Sequence, residues 1–360
     1  MITKFAAACA LAVLLVAGLA TSAGARTDAG GSGQDVPAIA WGVADDASKY
    51  ADDGGAWFYD ELKGASLTTN RWTLAWDSTN PLAINELPFL ERAAPIAQAA
   101  GIHVLLALYS TKGSEHDPAG FCAWAEKVAQ TVSVWGIHDY IVWNEPNTRL
   151  YWSPQKDDSG KDVAAPAYEA LLATCYDKLH GADPAANVIG MGLSPRASTS
   201  DSNEPLVFLR DVGKAYRASG RTLPIMDQLS IHPYPNPNNP TNGPAVGYES
   251  TDRFGVPNLD RVKQAVYDAF NGTAQPTTVG VGARRSGGIG DLLTFVIDEI
   301  GWQSGLLTAG GENVSQPKQA YAQVAPDFAG GRSSCKGQLI SWSPQVKKPP
   351  AKHKKKRRQH

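Results

Sequence analysis

The sequence has little cysteine, methionine or charge. Four cysteines and three methionines occur in 360 residues, and 19% of the side chains are charged. So few cysteines exclude a small disulfide-framework domain, which needs several bridges in place of a core. Neither Cys-x-x-Cys nor His-Glu-x-x-His is present. With those spacings missing, no metal or other cofactor is expected. Gly-x-Ser-x-Gly is absent, and no Gly-x-Gly-x-x-Gly follows the first strand-like run. A serine-elbow hydrolase and a dinucleotide-binding dehydrogenase therefore have no support. Long apolar runs are equally scarce: the one that stands out, Phe5 to Ala20, is too short for a membrane span. Lys4 precedes it, and Ser22, Ala23, Gly24 and Ala25 follow. That is the layout of a secretory signal cleaved after Ala25, and export is expected. Cys9 would leave with it, so Cys122, Cys175 and Cys335 remain.

What is present is a 43% hydrophobic composition, enough for one large domain with a substantial core. The net charge of −2 conceals a division. Eight of the 33 basic residues fall in the last fourteen positions, Lys347 to His360, leaving 25 bases against 35 acids in the body. A block with Pro349, Pro350 and no acid cannot bury a core and is expected to be disordered. It either holds the protein to an anionic cell-wall polymer or lipid, or is a solvated terminus with no partner. Nucleic acid is not an expected partner, because the tail lacks interleaved aromatics and the body is acidic.

Residues 26–36 read as a linker, and from 37 to 346 apolar runs alternate with helical patterns. The runs are Ala38 to Val43, Leu67 to Leu74, His103 to Leu108, Tyr140 to Trp143, Val188 to Leu193, Gln228 to Ile231, Leu292 to Ile297 and Gln338 to Trp342. Between them lie helix candidates at Trp57 to Lys63, Leu87 to Ala100, Phe121 to Val134, Ala165 to His180, Pro205 to Ser219, Leu259 to Phe270 and Lys318 to Ala329. Eight buried-type strands, each followed by a helix, predict an α/β fold of the (β/α)8 TIM-barrel kind. The last outer helix is missing, because Ser-Pro-Gln-Val and the basic tail follow Trp342. In this architecture Cys122 and Cys175 fall on neighbouring helices; a bridge between them and separate buried thiols are both open. The Pro- and Asn-rich stretch from His232 to Leu259 reads as a loop over the site. A monomer is expected.

Trp143-Asn144-Glu145-Pro146-Asn147 closes the fourth run, on the barrel face where active sites sit. The segment resembles the acid/base motif of glycoside hydrolase clan A, the retaining barrel enzymes that include families 5 and 39. That resemblance implies a nucleophilic Glu at the end of strand seven, where this chain reads Phe295-Val296-Ile297-Asp298-Glu299-Ile300-Gly301-Trp302. Glu299 is the match. Retaining cleavage needs two carboxyl groups about 5 to 5.5 Å apart, one protonated to release the leaving group and one ionised to attack the anomeric carbon. Glu145 would be the acid/base and Glu299 the nucleophile, converging across the mouth from strands four and seven.

By the same resemblance Arg71 holds the nucleophile ionised, Tyr234 donates a hydrogen bond to it, and Asn144 meets the sugar 2-hydroxyl. His232 either polarises the site or is a packing residue. Trp76, Trp302 and Trp342 are candidate sugar platforms, since an aromatic face packs on the apolar face of a pyranose. Trp342 is the strongest of them, and Trp143 reads as core. Specificity is expected in the segment Ser194 to Glu204 and in the stretch after His232. Two other readings compete: a carbohydrate-binding barrel without catalysis, and a surface-attachment protein that works through its basic tail.

Overall fold

The computed structural model describes residues 40, 42–110, 117–234, 247–277 and 343–346, with the short backbone segments 280–281, 288–290, 307–308 and 316–317. All belong to the unit that runs from Pro37 to His360.

Six parallel strands follow the predicted order: β1 Gly42–Ala44, β2 Thr69–Trp76, β3 His103–Ser110, β4 Asp139–Val142, β5 Asn187–Leu193 and β6 Gln228–Ile231. Each pairs with its sequence neighbour, as short right-handed crossovers require. The helices between them are α1 Ala47–Tyr50, α2 Ala56–Gly64, α3 Leu87–Ala99, α4 Pro118–Val132, α5 Ala164–Ala182, α6 Pro205–Ser219 and α7 Leu259–Phe270. Five of the predicted helices fall within two residues at each end, and the sixth, α4, starts three residues early. Helix α1 had no sequence signal, because one turn is too short to show a period.

The far side of the sheet departs from expectation. The strands beyond β6 are β7 Gly280–Val281 and β8 Gly288–Gly290, set in the order β6-β8-β7. They come before the predicted seventh run in the chain, and both are rich in glycine, so no apolar run marks them. Among the described residues no strand joins β7 to β1, and the sheet is an open parallel half-barrel rather than a closed one. The runs at 292–297 and 338–342 and the helix at 318–329 lie outside the described residues, as do the N-terminal apolar segment and the basic tail. A separate antiparallel pair joins Leu307–Thr308 to Gln316–Pro317.

Alternation along the strands makes two cores. Leu105, Ala107, Ile141 and Ile189 pack against one another on the inner face. The opposite face, through Trp72, Leu74, Leu106, Tyr140 and Val188, joins the larger cluster beneath the helices. Helix α4 shows why these segments are helical. Pro118 sits in its first turn, the Asp117 carboxylate accepts from the Ala119 N–H at 3.0 Å, and Phe121, Trp124, Ala125, Val128 and Val132 form its buried stripe. Helices α6 and α7 lie close together at Gly213, where a Cβ would come within 2.4 Å of the Ala269 carbonyl oxygen. A disulfide between Cys122 and Cys175 ties α4 to α5.

Candidate active site

The chain leaves β4 in an unusual path. Trp143 and Glu145 both have left-handed φ angles, +72° and +43°, a conformation that costs non-glycine residues about 1–3 kcal/mol and persists only where the surroundings impose it. The Trp143 N–H donates to the Leu108 carbonyl at 2.7 Å, and the Glu145 N–H donates to the Gly192 carbonyl at 3.0 Å. Gly192 itself has φ +51°, which a glycine adopts without penalty. The Trp143 ring is fully buried, edge-on to Phe121 and Trp152, and its Nε1–H donates to the Tyr151 carbonyl at 2.8 Å. Buried Tyr168 spans the two strand ends, accepting from the Met191 N–H at 2.7 Å and donating to the Val142 carbonyl at 2.9 Å. Asn147 accepts from the Ser194 N–H at 3.0 Å and donates to the Asn203 carbonyl at 3.2 Å. These contacts aim the Glu145 side chain into the mouth at the carboxyl ends of the strands.

There it meets the end of β6. His232 Nδ1 lies 2.8 Å from Glu145 Oε1, with the two side chains 9% and 18% exposed. The backbone of His232 is pinned to β5 by its N–H bond to the Leu193 carbonyl at 2.8 Å. The other ring nitrogen, Nε2, is buried with no hydrogen bond among the described residues. Asn144 is buried, and its Oδ1 accepts from Arg71 Nη2 at 3.5 Å. Arg71 Nε is likewise buried without a hydrogen bond among the described residues.

Three tyrosines complete the group. Tyr234 packs its ring 6.2 Å from that of His232 and is 38% exposed. Tyr109 and Tyr151 stand edge to face at 6.1 Å. Desolvation raises the phenol pKa of all three, the Glu145 charge adds to the rise for Tyr151 and Tyr234, and the Arg71 charge opposes it. The three phenols therefore stay protonated, as hydrogen-bond donors, far above neutral pH.

Arg71 from within β2, Asn144 and Glu145 from the end of β4, and His232 and Tyr234 from the end of β6 thus come together. Two contacts were not anticipated: His232 meets Glu145, and Arg71 reaches Asn144. Glu299, Trp302 and Trp342 lie outside the described residues, and with them the expected contacts of Arg71 and Tyr234 to Glu299. Trp76 is not a platform. It is 3% exposed, donates Nε1–H to the Pro81 carbonyl at 3.1 Å, and packs edge-on to Phe121, because even-numbered residues of β2 face the helices. Tyr109 and Tyr151 were missed. Tyr109 continues the inward-facing series Leu105, Ala107 on β3 and was open to that alternation; Tyr151, on a loop, had no periodic signal.

No protein-family model and no curated protein matches the chain. Solved structures do. A β-glucosidase from Thermotoga maritima, in complex with azafagomine, matches with a TM-score of 0.50 at 9% identity over 82% of this chain and 98% of that one. A family 39 glycoside hydrolase from Bacteroides cellulosilyticus WH2 matches at TM-score 0.45 and 19% identity, over 67% of this chain and 47% of that one. A monomeric β-xylosidase from Caulobacter crescentus CB15 matches at 0.42 and 14%, over 67% and 51%. The chain spans about half the length of these last two. At 9% identity the likeness to the β-glucosidase bears on the fold alone: this chain's parallel half-barrel with outer helices resembles a TIM-barrel glycosidase fold.

Proposed function

We propose that this chain hydrolyses β-linked O-glycosidic bonds of an oligo- or polysaccharide with retention, Glu145 serving as acid/base and Glu299 as nucleophile. The observation that carries the reading is the His232–Glu145 contact at the mouth of a parallel half-barrel. An acid/base must give up a proton in the first step and recover it in the second. The 2.8 Å contact suits both states, since Glu145 O–H donates to an unprotonated Nδ1 and Nδ1–H donates to the carboxylate.

In the proposed cycle the Glu299 carboxylate attacks the anomeric carbon while the Glu145 proton passes to the leaving oxygen. Water, deprotonated by Glu145, then releases the sugar from Glu299. Asn144 would bond the 2-hydroxyl, Arg71 and Tyr234 would face the nucleophile, and Trp302 and Trp342 would supply platforms. Closure of this eight-stranded sheet into a barrel belongs to the same proposal.

Export is also part of it. The Cys122–Cys175 disulfide fits an oxidising compartment. The tail from Lys347 onward would hold the enzyme to an anionic surface.

The test is turnover of a panel of β-linked aryl glycosides and oligosaccharides by wild type, Glu145→Ala and Glu299→Ala. Wild type is expected to cleave at least one with retention, and Glu299→Ala to lose at least a thousandfold. Equal turnover by Glu299→Ala, or inversion of the first-formed product, would overturn the mechanism. Binding without any turnover would favour a non-catalytic carbohydrate-binding barrel.

A further inference from the structure

A cavity of about 570 Å³ opens beside the loops that follow β4 and β5. Its walls are the β4–α5 connection at Lys156 to Asp162, the β5–α6 connection at Ala197 to Glu204, and the first turns of α6. One wall is shared with the candidate active site. Asn203 N–H donates to the Asn147 carbonyl at 2.9 Å, Gln155 Nε2 donates to the Pro146 carbonyl at 2.8 Å, and Asn203 Nδ2 donates to Gln155 Oε1 at 2.9 Å. The cavity and Glu145 therefore stand on opposite sides of one hydrogen-bonded partition.

The charges that line it are largely answered. Arg253 Nε lies 2.9 Å from both oxygens of Glu204, and Asp211 pairs with Lys214 at 2.5 Å. Lys156 reaches the Ser200 carbonyl at 3.5 Å. What remains is neutral hydrogen-bonding capacity: Ser198 and Thr199 each share a contact with Ser202 Oγ at 3.0 Å. The exception is Asp162. One oxygen accepts from the Ala165 N–H at 3.0 Å, while Oδ2 is buried with no hydrogen bond among the described residues. Burial pushes the Asp162 carboxyl above its ordinary range against the Ala165 hydrogen bond, and the Asp211 charge adds to the rise.

These features select among ligands. An anion would face Asp162, Asp211 and Glu204. A metal ion has no group of three His, Cys, Asp or Glu ligands among the described residues. An uncharged polyol satisfies the rest, because its hydroxyls both donate to carboxylate and carbonyl oxygens and accept from hydroxyl and ammonium donors. The volume lies within the range of small-ligand sites, about 300–1,000 Å³, and admits one or two pyranose rings.

We infer that this cavity is a second carbohydrate site, which binds an uncharged sugar residue on the far side of the partition from Glu145. Its ligand is a distal unit or branch of the saccharide cleaved at Glu145, and in that identity alone it rests on the glycosidase reading.

The test uses the full chain carrying Glu145→Gln, titrated calorimetrically with cellotetraose, xylotetraose and mannotetraose, and with tetragalacturonate and calcium as charged controls. At least one neutral tetrasaccharide is expected to bind at two equivalents. Adding Ser200→Trp, which fills the cavity from an exposed position, should remove one equivalent or weaken it at least tenfold. Val207→Trp, at another exposed lining position, should act alike. In the Glu145 background, Val207→Trp should leave aryl-glycoside turnover unchanged. Unchanged stoichiometry in both variants, no second equivalent of any neutral saccharide, or preference for a charged control would overturn the site. Loss of an equivalent in a protein that cleaves no glycoside would retain the site and sink the glycosidase reading; turnover without that loss would do the reverse.

Discussion

The turn after β4 concentrates backbone strain in two residues, Trp143 and Glu145, held by their neighbours rather than by their own preferences. If Glu145 supplies the proton, its removal matters in proportion to how badly the leaving group needs one. Glu145→Ala should lower kcat/KM by about 10²–10⁴ on an alkyl or sugar leaving group, within the usual range for general acid catalysis. On a dinitrophenyl glycoside, whose leaving group departs unprotonated, the first step should change less than tenfold. On the proposed mechanism His232 would act through Glu145 as a positioning residue. His232→Ala should lower kcat/KM about 10- to 100-fold on poor leaving groups and leave the dinitrophenyl glycoside near wild type, read as a steeper dependence of rate on leaving-group pKa. A merely structural loss would depress both substrates alike. Trp143→Phe removes the Nε1–H bond to the part-buried Tyr151 carbonyl. A stability loss of about 1–3 kcal/mol is expected by denaturant titration.

Between elements, the Glu204–Arg253 pair fastens the start of α6 to the segment before α7. Burial alone would raise the Glu204 carboxyl. The Arg253 guanidinium and the Ala197 N–H outweigh it and hold the pKa below the ordinary 4.5. A carboxylate depressed in the folded state stabilises above its unfolded pKa and loses that contribution as pH falls through the folded value. Wild type should therefore melt above Glu204→Gln at pH 7, and the gap between the two melting temperatures should close as pH drops from about 5 to 3. A gap that stayed constant would show that the pair contributes through shape rather than charge. The pair is partly exposed, so the expected difference is small, about 1 kcal/mol or less.

For the molecule as a whole, the Cys122–Cys175 bond closes a loop with a sequence separation of 53 residues. In the chain-entropy account a loop of that length stabilises by about 4 kcal/mol, an upper figure because unfolded chains retain structure. Replacing both cysteines by serine should lower the melting temperature by several degrees, and reductant should do the same to wild type but not to the double variant. Deletion of residues 347–360 should leave turnover of a soluble aryl glycoside unchanged and reduce retention on anionic vesicles at low salt. Salt should abolish the difference, since exposed charges are screened over about 10 Å at 0.1 M.

The first six strands and helices α2 to α7 were legible in the sequence because each buries one continuous face, and burial writes itself as apolar runs and 3.6-residue stripes. The Trp-Asn-Glu-Pro segment was legible because it is short and contiguous. Contacts between strand ends were not. That His232 faces Glu145, that Arg71 reaches Asn144, and that Tyr109 and Tyr151 join them depend on strand register and on a left-handed turn, which no local pattern records. Glycine-rich β7 and β8, with their exchanged order, left no hydrophobic signal either. The sequence by itself determined which segments are buried and which carboxylate stands at the end of β4. The tertiary structure alone decided what surrounds that carboxylate, because side chains 87 residues apart, as Glu145 and His232 are, become neighbours only when the sheet is assembled.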